Sequence, residues 1–192
     1  DVLIMSDLTL LGGTRSCNIN YLRTLHAMGK NVALFNWPRS DLRLANDING
    51  AYRDLKHDGV VDIVTWEDVI HAKRVLIHHP PIAAFELDSY PQIETEKVSV
   101  LVNQLPFQTR ERERFFYHPQ DVNERLKRIF DVSSIEWISI SPLTKNYLNE
   151  FVGQIIVSDE VWYPPEFKPI DMAQLGTRER HLRMQAKDPG FV

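Results

Sequence analysis

The chain contains a single cysteine, Cys17, among its 192 residues. One thiol cannot form an internal disulfide, and by itself it cannot build a zinc site. We therefore expect Cys17 to be a small buried side chain in the first predicted helix. A lone free thiol is also compatible with a reducing compartment.

Long apolar runs and an excess of positive charge are also missing. No stretch approaches the roughly 18 apolar residues of a membrane-spanning helix, so membrane association is possible but not indicated. The formal net charge is -4, whereas nucleic-acid-binding proteins usually carry a basic surplus. We expect a cytoplasmic protein that does not bind nucleic acid, with 43% hydrophobic residues to form one core.

Two common nucleotide-binding motifs are absent. Gly12 and Gly13 are adjacent, and no third glycine follows at the spacing of the G-x-G-x-x-G motif. No Gly-Lys-Ser/Thr follows them either, as a P-loop requires. NAD, FAD and ATPase chemistry are therefore not expected. The sequence indicates no cofactor, and no spacing of ligand residues indicates a metal.

What the sequence does contain is a strand, a glycine-rich turn and a helix in immediate succession. The apolar run of residues 2–5 leads through Ser6 and Asp7 to Gly12, Gly13 and Thr14, where the helix begins. A glycine pair permits a tight turn, and the free amides at a helix start attract anions. We predict that Gly12, Gly13 and Thr14 bind a phosphate group.

Strand and helix patterns alternate along the rest of the chain. This alternation predicts an α/β fold, a three-layer Rossmann-like domain with a mostly parallel sheet of six to seven strands. Further strands are predicted at residues 31–36, 59–64, 74–78, 98–102, 135–140 and 154–157. Helices or helical turns are predicted at residues 41–58, 67–71, 81–87, 119–130 and 141–151.

The order of these pieces resembles the N-terminal Rossmann-like domain of a GT-B glycosyltransferase of the retaining, family 4-like group. The resemblance rests on five segments: Gly12-Gly13, residues 18–25 before Gly29, residues 31–34, residues 138–144 and the proline-rich residues 164–169. It implies transfer of a sugar from a nucleotide-sugar donor to an acceptor hydroxyl. In the family the glycine loop lies near the donor diphosphate, and the proline-rich segment leads to a second domain.

The resemblance also suggests a domain organisation. Residues 1–170 would be the acceptor-side domain, and residues 171–192 a linker helix or the start of a connection to a missing C-terminal donor-binding domain. The chain enters a core strand at once and ends at residues 188–192 in what resembles a turn before a strand. We expect part of a longer enzyme, inactive alone, whose partners are a nucleotide sugar and an acceptor glycan or lipid-linked sugar.

Ligands gather at the carboxyl ends of parallel strands in such folds, which makes His78 and His79 candidates for the cleft. An imidazole there can hydrogen-bond an acceptor hydroxyl or a donor phosphate. Because adjacent side chains point in opposite directions on an extended backbone, we expect only one of the two to face the cleft.

Four further residues are candidates for binding the acceptor or lining the cleft. Asn103 and Gln104 follow a predicted strand at a place where many relatives in the family carry a histidine. Amides can bind sugar hydroxyls but cannot act as a base, so we assign no catalytic residue. All four tryptophans, at positions 37, 66, 137 and 162, are more often core or interface residues than sugar platforms, although Trp37, directly after the second strand, could stack on a ring. Ser141 is a predicted helix cap near the cleft.

A mixed basic and aromatic run covers Arg110, Arg112 and Arg114 and residues 115–117. Such a mixture is compatible with a lipid-linked acceptor at a membrane surface. Because Glu111 and Glu113 cancel much of the charge, a solvated helix at the rim is the better interpretation.

Two other functions remain open at the level of sequence. One is a non-catalytic α/β module that binds a carbohydrate or a protein through the same loops. The other is a different nucleotide-sugar enzyme, such as an epimerase of the GT-B shape. A likeness of fold does not separate them, since one fold hosts many chemistries.

Overall fold

A seven-stranded, wholly parallel sheet forms the centre of the computed structural model, which describes residues 1–38, 47–87, 89–107 and 114–163. The strands are numbered in chain order and lie side by side in the order 3-2-1-4-5-6-7. Their bounds are β1 (Val2–Ser6), β2 (Val32–Asn36), β3 (Asp62–Val64), β4 (Val69–His78), β5 (Gln92–Val102), β6 (Ile135–Ser139) and β7 (Ile156–Val161).

Helices cover both faces of this sheet. They are α1 (Gly13–Ala27), α2 (Gly50–His57), α3 (Pro119–Phe130) and α4 (Pro142–Leu148), with short 3-10 turns at Pro80–Ala84 and Asn149–Phe151. The predicted three-layer α/β class with a parallel sheet of up to seven strands is thereby confirmed. Within the described residues, no helix combines the length and the apolar character needed to cross a membrane.

The central strands are buried on both faces, and alternate residues belong to different cores. Leu3 and Met5 of β1 pack in the core under α3 and α4, whereas Ile4 packs in the core under α1 and α2. Leu22 of α1 belongs to the second core. This alternation follows from the two-residue period of a strand and explains why the strands read as continuous apolar runs.

Two helix starts follow the chemistry of their sequences. Pro119 and Pro142 each occupy the first turn of a helix, where a missing amide hydrogen leaves no bond unmade. The Ser141 hydroxyl accepts a hydrogen bond from the Thr144 amide at 3.2 Å, as an N-cap does. The predictions of a helix at 119–130 and of a cap at Ser141 are confirmed.

Two predicted helical segments are wrong. Residues 67–71 form no helix, because β4 already begins at Val69, where it pairs with Gln92 of β5. Residues 81–87 were expected to form a helix, but only the 3-10 turn Pro80–Ala84 is present, and the backbone is already extended at Phe85. Residues 39–46, 88, 108–113 and 164–192 lie outside the described residues, as do the predictions that fall on them.

Strand β1 is the point at which the chain changes direction across the sheet. It pairs with β2 on one side and with β4 on the other. The chain runs outward through β2 and β3, returns to pair β4 beside β1, and then continues to the opposite edge. Crevices form where such a reversal separates two neighbouring loops.

Candidate functional site

The crevice expected from this topology lies at the carboxyl ends of β1 and β4. Met5 pairs with Ile77, so the next residues, Ser6 and His78, end neighbouring strands. The loop after β1 leads to the start of α1 at the same edge. In open parallel sheets this is the usual place for a ligand.

The start of α1 is open on the side of the glycines. Gly12 is the N-cap residue with φ of 90°, a conformation that residues with a Cβ rarely adopt. No side chain caps the N-terminus of α1 with a hydrogen bond, and a Cβ placed on Gly12 or Gly13 would meet nothing within 4 Å. The geometry leaves the first amides of α1 accessible to an anion.

A buried chain of hydrogen bonds joins β4 to α1 and α2. Nδ1 of His78 lies 2.5 Å from Oδ1 of Asn18, and Nδ2 of Asn18 donates to the hydroxyl of Tyr52 at 3.1 Å. Because the Asn18 oxygen can only accept, His78 carries its hydrogen on Nδ1 and presents a lone pair on Nε2. All three residues are fully buried.

Burial fixes the protonation of this chain. Desolvation, with a smaller contribution from the charge of His79, lowers the pKa of His78 to about 3. Burial likewise raises the pKa of Tyr52 to about 12. At neutral pH both rings are uncharged, and an imidazole with so low a pKa is a poor general base.

A second chain joins the residue after β4 to the first turn of α1. Nδ1 of His79 lies 3.2 Å from Oδ1 of Asn103, and Nδ2 of Asn103 donates to the hydroxyl of Thr14 at 2.9 Å. Three of the residues predicted to line the site, His79, Asn103 and Thr14, are thus in direct contact. Asn103 serves here as an amide bridge between a histidine and the predicted phosphate-binding turn.

Both histidines are therefore linked to one face of α1. Thr14 and Asn18 are four residues apart and lie one helical turn from each other. The expectation that only one histidine faces the cleft assumed extended backbone at both positions. His79 instead has φ of 79°, in the left-handed region, so simple alternation does not apply to it.

Buried polar atoms without a partner concentrate at this edge of the sheet. Within the described part of the chain, four such atoms lie in the last residue of a strand or directly after it: Ser6 Oγ, Trp37 Nε1, His78 Nε2 and Ser139 Oγ. Nearly all buried polar groups in proteins are hydrogen-bonded. All four belong to residues with no exposed surface, so they lie in the interior at this edge of the sheet and not on an open surface.

The remaining predicted site residues have structural positions. Trp37 has no exposed surface and packs edge-on against Tyr90 at 5.1 Å, so it offers no ring face to a ligand. The backbone carbonyl of Gln104 accepts a bond from the Tyr117 hydroxyl at 2.8 Å. Ser141 uses its hydroxyl to cap α4, as described above.

The basic and aromatic run does not form a continuous surface in its described part. Arg110 and Arg112 lie outside the described residues, and Arg114 is exposed. Phe116 packs against the core and Tyr117 is only 3% exposed. The aromatic residues of this run therefore belong mostly to the interior.

Sequence reasoning missed Asn18 and Trp66. Asn18 carries a signal in retrospect, since a polar residue four positions after Thr14 lies on the same helical face as that site residue. Trp66 was expected in the core or an interface, and its 58% exposure rules out the core. Nothing in its local sequence distinguishes it from the buried tryptophans.

No metal cluster occurs among the described residues, where no group of three or more His, Cys, Asp or Glu side chains converges. Comparisons of the chain with protein-family models, curated proteins and solved structures give no match in any of the three. The resemblance to a glycosyltransferase domain thus stays a prediction.

Proposed function

We propose that this chain is the acceptor-side α/β domain of a glycosyltransferase, which moves a sugar from a nucleotide-sugar donor to an acceptor hydroxyl. The donor diphosphate would lie at the start of α1, and a second domain of the same protein would complete the donor site. The observation that carries the proposal is the pair of histidine-amide chains that end on the first turns of α1, beside the open glycine turn.

The chain through Asn103 prepares Thr14 for an anion. The Thr14 hydroxyl already accepts a bond from Asn103 Nδ2, so its own hydrogen is left to donate. A phosphate oxygen beside Gly12 and Gly13 would receive that hydrogen together with amide hydrogens of α1. This arrangement stabilises the negative charge that develops on a departing diphosphate.

In the proposed reaction the acceptor hydroxyl oxygen attacks the anomeric carbon of the donor sugar. A new glycosidic bond forms, the bond from that carbon to the phosphate oxygen breaks, and the diphosphate leaves with the electron pair. The acceptor proton passes to a diphosphate oxygen or to water. His78 does not take this proton, because its pKa of about 3 makes it too weak a base.

The test is calorimetric titration of the complete gene product, and of the 192-residue chain, with nucleoside diphosphates and nucleotide sugars. Thr14→Val removes the donated hydrogen bond, and Thr24→Val on the exposed face of the same helix is the control. We expect Thr14→Val to weaken binding of one nucleotide by about tenfold or more, since bonds to charged groups contribute about 1.5–3 kcal/mol. Equal affinities of the two variants would contradict the proposal.

Turnover separates the alternatives that the sequence left open. Release of nucleoside diphosphate that depends on an added acceptor identifies a transferase. Conversion of the donor sugar without an acceptor identifies an epimerase. Carbohydrate binding by the complete gene product with no response to any nucleotide identifies a non-catalytic binding module.

A further inference from the structure

A cavity of about 400 Å³ opens beside the carboxyl ends of β2 and β3, away from the switch between β1 and β4. Its walls include Ile48, Ile63 and Leu87, and the hydroxyl-bearing residues Thr65 and Ser89 line it too. Small-molecule sites have this size and this mixture of apolar walls with a few polar groups.

Trp66 lines this cavity and is the most exposed of the four tryptophans. It is 58% exposed, whereas Trp37 and Trp137 are completely buried. The cavity therefore combines apolar walls with a large aromatic surface that the described part of the chain leaves exposed.

The turn that carries Trp66 is firmly held. One carboxylate oxygen of Asp68 accepts the Thr65 amide at 2.6 Å and the Thr65 hydroxyl at 3.0 Å. The Asp68 amide donates back to the Thr65 carbonyl at 3.2 Å, and the Asp68 carbonyl accepts the Gln92 amide. Trp66 thus lies inside a closed turn that is anchored to the start of β5, so the backbone that carries its ring has a defined position.

We propose that this cavity binds a pyranose ring of the acceptor, with the C–H face of the sugar stacked on Trp66. A pyranose has an apolar face and a rim of hydroxyls, which matches an indole face beside Thr65 and Ser89. The inference rests on the proposed function. Strand β3 is two strand spacings from β1, about 10 Å, so an acceptor bound there reaches the switch point within the length of a short glycan.

The experiment follows tryptophan fluorescence of the complete gene product during titration with methyl pyranosides, with glycerol as the polyol control. Trp37 and Trp137 are buried and Trp162 is only partly exposed, so a change in acrylamide quenching reports mainly on Trp66. We expect at least one pyranoside to protect the protein from quenching. Trp66→Ala should weaken binding of that pyranoside by roughly tenfold, because it removes the apolar contact of one sugar face with the indole ring. Trp66→Phe should weaken it by less, since a smaller aromatic face remains.

Tyr163→Ala is the matched control, since Tyr163 is 63% exposed and follows β7 at the opposite edge of the sheet. It should leave pyranoside affinity unchanged. If pyranosides bind equally well to Trp66→Ala, or if nucleotides bind and no pyranoside does, the cavity is not the acceptor subsite although the proposed transferase stands. If Trp66→Ala weakens the binding of a nucleotide sugar but of no pyranoside, the ring belongs to the donor site and the inference is overturned. If neither nucleotides nor pyranosides bind, both proposals are overturned.

Discussion

Nδ1 of His78 and Oδ1 of Asn18 lie 2.5 Å apart in the interior, and this contact joins the end of β4 to the second turn of α1. The ring of Tyr21, also in α1, packs edge-on against the same imidazole at a centroid distance of 6.1 Å. The position of α1, and with it the glycine turn at its start, therefore depends on a buried polar contact as well as on apolar packing.

Replacing Asn18 with alanine tests this dependence. The substitution leaves His78 Nδ1 and the Tyr52 hydroxyl without their shared partner, and both groups are fully buried. We expect the free energy of unfolding to fall by about 2–4 kcal/mol, since each unsatisfied buried group costs about 1–3 kcal/mol. Urea unfolding followed by circular dichroism measures the loss.

Thr24→Ala is the control for Asn18→Ala, because Thr24 is an exposed residue of the same helix. Its effect should stay within about 0.5 kcal/mol. Should Asn18→Ala be no more destabilising than Thr24→Ala, the buried chain would contribute nothing to the position of α1.

The pH dependence of stability follows from the lowered pKa of His78. The unfolded chain binds a proton at this ring near pH 6.5, whereas the folded chain does so only near pH 3. Protons therefore favour unfolding. The contribution of the neutral His78 ring to folding stability is fully present above pH 6.5 and is lost as the pH falls towards 3. The slope for one such group is about 1.4 kcal/mol per pH unit.

The variant His78→Gln lacks this titrating ring but keeps the carboxylates that titrate in the same pH range. Comparison with wild type therefore isolates the effect of His78. The difference in unfolding free energy between wild type and variant, measured from pH 6.5 down to pH 3, should shrink as the pH falls. A pH-independent difference would mean that the ring is protonated as readily in the folded chain as in the unfolded one.

The two glycines before α1 should respond in opposite ways to alanine. Gly12 has φ of 90°, so a Cβ strains the backbone there, and Gly12→Ala should destabilise the fold by about 1–2 kcal/mol. Gly13 begins the helix with no neighbour within 4 Å of an added Cβ. Gly13→Ala should be neutral or stabilise by up to about 1 kcal/mol. Equal thermal shifts for the two variants would show that the positive φ is not required.

Asp68 should control the order of the turn that carries Trp66. Bonds from the amide and hydroxyl of Thr65 lower the pKa of this carboxyl, so the closed turn is favoured above the ordinary pKa and lost as the pH falls below it. Asp68→Ala should accelerate hydrogen exchange of the Thr65 amide and lower the fluorescence anisotropy of Trp66, in a background with the other tryptophans replaced. Unchanged exchange at Thr65 would contradict this role.

Several elements were predictable because their signals are local. The helix Pro119–Phe130 begins at a proline and presents apolar residues at helical spacing, so its sequence pattern alone defines it. The apolar runs of β1, β5 and β6 reflect burial on both faces, which parallel sheets require. The start of β4 was missed because residues 69–73 become a strand only through pairing with β5.

The sequence by itself determined the α/β class, the glycine turn at the start of α1 and the candidate residues His78, His79 and Asn103, because strand ends and turn residues are local features. Tertiary structure alone decided which of these residues touch. It placed Asn103 between His79 and Thr14, paired His78 with Asn18, buried Trp37 and exposed Trp66. Such contacts depend on strand order and on side-chain packing between residues far apart in the chain, and neither is written in the local pattern of residues.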